Sequence, residues 1–397
     1  MSGHTHSHPD ARARRGTWPE PDPEQRSRSA TLRDLIRAEI ERTGGIEFSR
    51  YMELALYSPG LGYYTSGQPV FGEQGDFVTA PEIGAMFAGC IARQCTQVLT
   101  AIGAGGVLEF GAGSGNLAAD VLLEMERLEC LPDAYQIIEL GAELRARQRA
   151  TILKKAPHLL DRVRWLQGLP EPGFRGVVIA NEVIDAMPVT RFRRRLDDVV
   201  SLWVHWDGVG FCEEERVIDG LDIEGLDLSA LPAGYTSEVC PRAAAWVRAL
   251  AGICAQAAVL VVDYGFPVSE YYHRERQQGT LMCHYRHRAH SDPYVNIGLQ
   301  DITAHVDFSA VAAAAVRAGF QVAGYTQLAP FLMALGLADY LQGRDYADDR
   351  ERIAAVQEFK KLTMPYELGE LFKVIGLIKG FDAELTGFSL FDHRGRL

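Results

Sequence analysis

One run constrains this chain more than any other: Val107-Leu108-Glu109-Phe110-Gly111-Ala112-Gly113-Ser114-Gly115-Asn116-Leu117. An apolar stretch closes on an acid, and three glycines follow at alternate positions. The residues after it, Leu117-Ala118-Ala119-Asp120-Val121-Leu122-Leu123, are apolar and alanine-rich, as in a helix. The whole reads as a strand, a tight glycine turn and a helix start. Only glycine lets a backbone turn that sharply and approach a ligand that closely. Such a unit sets a nucleotide-type ligand at the carboxyl end of a parallel sheet.

The rest of the chain repeats the alternation, so the expected fold class is α/β. Strands are expected at about 106–111, 135–140, 163–167, 176–180, 257–262, 321–325 and 372–378. The run Gly176-Val177-Val178-Ile179-Ala180 is continuously apolar, which suits a central parallel strand. Two β-like runs around Trp206-Asp207-Gly208 predict a hairpin inserted in that sheet at about 190–217. Helices are expected at 31–42 with Thr31 as a cap, at 48–57 ending on Ser58-Pro59-Gly60, and at about 83–99. The chain then divides into a disordered tail (1–30), a helical N-terminal portion (31–100), a main domain (101–380) and a C-terminal tail (381–397). The polar, aromatic and histidine-rich stretch 265–307 reads as a lid or second insertion.

The glycine loop lacks the third glycine of the dinucleotide fingerprint, and the chain has no G-x-x-x-x-G-K-[ST] run. A glycine loop preceded by an acid suits a cationic ligand better than a pyrophosphate. S-adenosylmethionine carries an ammonium and a sulfonium, and Glu109 is placed to orient its amino-acid end. Glu139, which closes the next strand, stands near the spacing at which such folds put a ribose-binding acid. After the fourth strand come Asn181, Glu182 and Asp185. An amide and two carboxylates there can hold a nitrogen nucleophile such as a guanidinium, whose paired hydrogen bonds match a carboxylate. The alternative is that Asn181 or Asp185 caps a helix. Asp263 repeats the strand-end pattern, either binding substrate or only ending its strand.

Composition narrows the classes. With 397 residues and 47% apolar content the chain can build a large core, and a net charge of −12 speaks against a broad nucleic-acid surface. An acidic field favours a basic acceptor. The seven cysteines are scattered with no C-x-x-C pair, as expected of thiols in a reducing cytoplasm. No apolar run is long enough to span a bilayer. His284, His287, His290 and His305 match no zinc signature, so no metal is expected.

Several motifs occur together and in order: Ala55-Leu56-Tyr57-Ser58-Pro59-Gly60-Leu61-Gly62-Tyr63-Tyr64, Gly75-Asp76-Phe77-Val78-Thr79-Ala80-Pro81-Glu82-Ile83, the glycine loop, Ala180-Asn181-Glu182-Val183-Ile184-Asp185-Ala186-Met187-Pro188-Val189, Asp301-Ile302-Thr303-Ala304-His305-Val306-Asp307-Phe308 and Glu367-Leu368-Gly369-Glu370-Leu371-Phe372-Lys373-Val374. From about 31 to 380 the chain resembles the MidA family of class I S-adenosylmethionine-dependent methyltransferases. Mitochondrial members of that family are complex I assembly factors that methylate a protein arginine. The resemblance implies a seven-stranded, Rossmann-like sheet with insertions and S-adenosyl-L-methionine as cofactor. By motif match, Gly111, Gly113 and Glu139 contact the cofactor, Thr79, Pro81 and Glu82 lie beside it, and His305 and Asp307 stand near the substrate entrance. The expected activity is methylation of an arginine in an acceptor protein, with Glu182, Asn181 and Asp185 orienting the nitrogen. Two other readings stay open: a small-molecule O- or N-methyltransferase, and a non-catalytic assembly factor that binds the cofactor. A homodimer is compatible with either.

Overall fold

Val177, Val178, Ile179 and Ala180 are all buried to within 1% of full exposure loss, on both faces of their strand. That burial belongs to the middle of a parallel sheet covered by helices on each side. The computed structural model describes residues 19–67, 80–218, 220–221, 223–342 and 347–397. They fall into two compact units, each assembled from three stretches of chain.

The larger unit comprises Val78–Asp185, Ala243–Pro267 and Val306–Leu397. Its sheet contains β1 (Gly106–Phe110), β2 (Tyr135–Ile138), β3 (Val163–Leu166), β4 (Phe174–Asn181), β5 (Cys254–Phe266), β6 (Gln321–Gln327) and β7 (Phe372–Lys379). Their spatial order is β6-β7-β5-β4-β1-β2-β3, and the short strand Val306–Asp307 pairs with the end of β5. The β1–β2, β2–β3, β1–β4 and β4–β5 pairings are parallel; β7 runs antiparallel to both β5 and β6. This is the seven-stranded class I arrangement. The helices that matter below are α1 (Met86–Ile102), α2 (Asn116–Arg127), α3 (Ala142–Lys155), α4 (Phe308–Arg317) and α5 (Asp349–Thr363). A single apolar cluster joins α1, α2 and one sheet face, with Phe87, Ile91, Val107, Leu122, Tyr135 and Val177 at its centre.

The smaller unit comprises Met1–Phe77, Ala186–Arg242 and Val268–His305. Helices Pro23–Thr43 and Phe48–Tyr57 share an apolar cluster with residues from an antiparallel five-stranded sheet. The expected hairpin is there, Val199–Trp206 pairing with Phe211–Val217, and Asp207 Oδ1 accepts the N–H groups of Val209 and Gly210 at 2.8 Å each. It is not inserted in the parallel sheet: its partners are Ile46–Glu47 and, beyond Thr190–Arg194, Thr236–Val239. The stretch read as a lid or second insertion carries a three-stranded antiparallel sheet, Met282–Tyr285, Arg288–His290 and Asp301–Thr303.

Three boundaries differ from expectation. The first described helix begins at Pro23, inside the stretch read as a tail, because Asp22 and Gln25 form a reciprocal capping box. Thr31 is therefore no cap; it lies within the helix and donates to the Ser27 carbonyl. Helix α1 runs Met86–Ile102 and belongs to the larger unit, not to an N-terminal portion. The segment after β7 is no loose tail, since Leu385 and Phe388 are buried in the larger unit's core.

Candidate active site

In the larger unit the chain order reverses between β1 and β4: β2 and β3 lie to one side, β5 to the other. Parallel sheets bind ligands in the crevice outside the carboxyl ends at such a switch point. Phe110 and Ala180 are register partners, so the next residues of each strand, Gly111 and Asn181, open the two loops that flank this crevice. Gly111, Gly113 and Gly115 have φ of 60°, 51° and 85°, the left-handed region that disfavours other residues. The loops touch: a Cβ on Gly111 would lie 3.5 Å from Val183 Cγ2. At Gly115 a Cβ would sit 2.8 Å from the Gln148 Cα, so both conformation and space demand glycine there.

Glu139 follows β2. Its Oε1 accepts from Gly141 N at 2.9 Å and its Oε2 from Gln148 Nε2 at 3.0 Å. Burial raises its pKa, and these bonds oppose the rise. Gln148, fully buried on α3, also donates to the Gly113 carbonyl at 3.2 Å and accepts from Trp165 Nε1 at 2.9 Å. One amide thus ties the glycine loop, the β2 acid and β3 together. Sequence reading missed both Gln148 and Trp165. The available signal was weak: on a strongly charged helix, Gln148 and Ile152 are the two buried positions, one turn apart.

Glu109 has a different environment from the one expected. It shares the core-facing side of the sheet with Val107, Tyr135 and Ile137 and is 2% exposed. The Tyr135 hydroxyl donates to its Oε2 at 2.7 Å, and burial pushes its pKa up to about 7. Its carboxyl is therefore buried within the sheet's core side and bonded to protein. Pro81 and Glu82 sit in the helical turn Ala80–Ile83, where Glu82 accepts from Ser114 Oγ and, at 3.1 Å, from Asn116 Nδ2. Thr79 lies outside the described residues, as do Gly75 to Val78.

Beyond β4, Glu182 has φ of 52°, unusual for a residue with a side chain, and its N–H is held by the Val262 carbonyl at 2.9 Å. Asn181 Nδ2 donates to Glu182 Oε1 at 3.2 Å, while Asn181 Oδ1 is buried with no hydrogen-bond partner among the described residues. Asp185 is 7% exposed. What holds this turn is Asp263, fully buried at the end of the internal part of β5. Its Oδ2 accepts from the N–H groups of Val183, Ile184 and Asp185 at 3.3, 2.9 and 3.3 Å, and its Oδ1 from Tyr264 N at 2.9 Å. Burial raises its pKa against those four donors. The substrate-binding alternative for Asp263 gives way to a clamp, since its oxygens are occupied by backbone. Tyr264 packs on Phe372 at a ring distance of 3.9 Å, and burial beside Glu182, Asp185 and Asp263 raises its pKa.

Asp307 also proves structural in its bonding: it caps α4 by accepting from Ala310 N at 3.1 Å, and burial raises its pKa to about 6. His305 belongs to the smaller unit, where its N–H donates to Thr280 Oγ1 at 3.1 Å. The residues that do come together are the glycine loop, Glu139, Gln148, Glu82 and the Asn181–Asp185 turn. Their chemistry suits a nucleoside ligand with a cationic end: a carboxylate beyond β2, a backbone that admits close approach, and a buried Asn181 carbonyl with no partner among the described residues.

Comparison with known proteins agrees with this arrangement. Residues 90–326 match the family model described as "Putative S-adenosyl-L-methionine-dependent methyltransferase". The crystal structure of a COG1565 superfamily member from Burkholderia thailandensis, bound to S-adenosyl-homocysteine, is 45% identical and superposes with a TM-score of 0.92, covering 96% of this chain and 100% of that one. Protein arginine methyltransferase NDUFAF7 of Danio rerio, mitochondrial, is 25% identical over 91% of this chain and 90% of its own length. Its Drosophila melanogaster homologue is 26% identical over 91% and 88%. The chain belongs to the MidA-type family of S-adenosyl-L-methionine-dependent methyltransferases, and S-adenosyl-L-methionine is its cofactor.

Proposed function

We propose that the chain methylates an arginine side chain of an acceptor protein. The observation that carries this reading is the turn after β4, where an amide and two carboxylates stand one strand from the glycine loop. The names of the relatives, which are protein arginine methyltransferases, support it. A guanidinium is planar and always charged, and a carboxylate meets it with two parallel hydrogen bonds. Glu182 accepts those bonds and fixes the plane. By drawing positive charge toward itself, it leaves lone-pair density on the nitrogen turned to the methyl group. Asn181, bonded to Glu182, orients that carboxylate, and Asp185 adds a second negative charge. The left-handed backbone at Glu182 costs on the order of 1–3 kcal/mol. The Asp263 clamp on the following three N–H groups is what sustains it.

In the cofactor half, Glu139 accepts the ribose hydroxyls; a carboxylate retains acceptor capacity beyond the two bonds it makes here. Gly111 and Gly113 admit the ligand against the backbone. Pro81 and Glu82 lie alongside, with Thr79 adjoining by motif match. Glu109, which closes the strand before the loop, is bonded to Tyr135. Bound there, S-adenosyl-L-methionine supplies an electrophilic methyl on its sulfonium. The chain's contribution is positioning and electrostatics.

The acceptor is a protein, and the net charge of −12 draws basic partners. Our reading of the compartment is the cytoplasm, supported by seven cysteines that form no disulfide. Among the described residues no helix is long and apolar enough to cross a membrane. Incubation with methyl-tritiated S-adenosyl-L-methionine and a lysate of the source organism tests the proposal. Label recovered as methylated arginine after acid hydrolysis of protein is expected. Label confined to small molecules overturns the protein-arginine reading.

A further inference from the structure

An acid stands in a core position of α5. The buried residues of that helix are Ala355, Glu358 and Leu362, a spacing of three and four that marks its inward stripe. Ala355 and Leu362 join the main apolar cluster, and Glu358 between them is 7% exposed. Burying a carboxylate there costs stability unless a partner holds it. Among the described residues, the start of α1 is such a partner. Met86 N donates to Glu358 Oε1 at 2.6 Å, across 272 residues of sequence. Helix α1 has no side-chain cap of its own, because Ala85 occupies the capping position. Glu358 supplies the missing acceptor and sets its negative charge at the positive end of the helix dipole. The preceding glycine is matched to it: a Cβ on Gly84 would lie 2.0 Å from Glu358 Oε2 and 2.2 Å from its Cδ. Immediately before Gly84 is the turn Ala80–Ile83, whose Glu82 holds Ser114 and Asn116 at the glycine loop.

We propose that Glu358 is a positioning residue for the cofactor site. It fixes the start of α1 and the Gly84 backbone, and through them the placement of Glu82 against the glycine loop. The inference rests on the reading that the Pro81–Glu82 turn lies beside the cofactor. A purely structural acid would affect folding alone; a positioning acid alters ligand affinity in folded protein. Calorimetric titration of the full chain with S-adenosyl-homocysteine, beside thermal melts, separates the two. Glu358→Ala should weaken binding about tenfold, as loss of a charge-assisted bond does. Glu358→Gln should stay within about threefold of wild type, because its carbonyl oxygen still accepts from Met86. Gly84→Ala, which pushes the carboxylate away, should reproduce the alanine effect. Glu82→Ala is the control on the underlying reading. If Glu82→Ala weakens binding but Glu358→Ala and Gly84→Ala bind as wild type, whatever their melting points, the positioning role is wrong. If Glu82→Ala also binds as wild type, the placement of that turn beside the cofactor fails, and the proposal fails with it.

Discussion

Glu109 is an acid whose charge is set by burial. Its folded pKa of about 7 lies above the ordinary 4.5, so the folded chain keeps a proton that the unfolded chain has released. Its stabilising contribution is complete below about pH 4.5 and is lost as pH rises through 7. Replacing it with glutamine keeps an acceptor for the Tyr135 hydroxyl and removes the titration. Glu109→Gln should therefore gain stability relative to wild type between pH 5 and pH 8, by on the order of 2 kcal/mol. Urea midpoints at the two pH values read this directly; parallel shifts of both proteins would exclude it. Asp263 differs in that its oxygens are filled by backbone donors. Asp263→Asn replaces one acceptor by a donor facing N–H groups, so methyl transfer should fall about tenfold or more, with a loss of about 1–3 kcal/mol in stability. Chemical denaturation and a labelling assay measure the two. That Glu139 and the Asn181–Asp185 group stand at strand ends was readable in sequence, because strand ends announce themselves. Gln148 and Glu358 were not, since each works through partners on other elements, which no local pattern encodes.

At the scale of elements, the central strands β4 and β5 were legible because buried parallel strands are continuous apolar runs. Helix starts were less so. Asp22-Pro23-Glu24-Gln25 is a capping signal that a charged, proline-rich context conceals, and α1 draws its acceptor from another helix. The glycine loop was legible as a turn, but its third glycine has a reason visible only in three dimensions: α3 packs against it. Gly115→Ala meets a left-handed φ of 85° and the Gln148 backbone at 2.8 Å. The variant should lose at least tenfold in affinity for S-adenosyl-homocysteine by calorimetry while its circular dichroism stays native. Native affinity would show that α3 yields and that the loop tolerates a side chain.

The whole molecule is two units interleaved in sequence, each drawing on three stretches of chain. That interleaving explains why the hairpin and the histidine-rich stretch read as insertions: locally they interrupt the parallel alternation, and only long-range pairing gives them a sheet of their own. Within the larger unit the cofactor loop and the Asn181–Asp185 turn open from neighbouring strands, and the division of labour between them is the claim most worth testing. The decisive measurement compares wild type and Glu182→Gln for transfer of tritium from saturating S-adenosyl-L-methionine to protein arginine in lysate. With a carboxylate that binds and polarises the acceptor, the variant should transfer about a hundredfold more slowly at unchanged cofactor affinity. Transfer at the wild-type rate would contradict it.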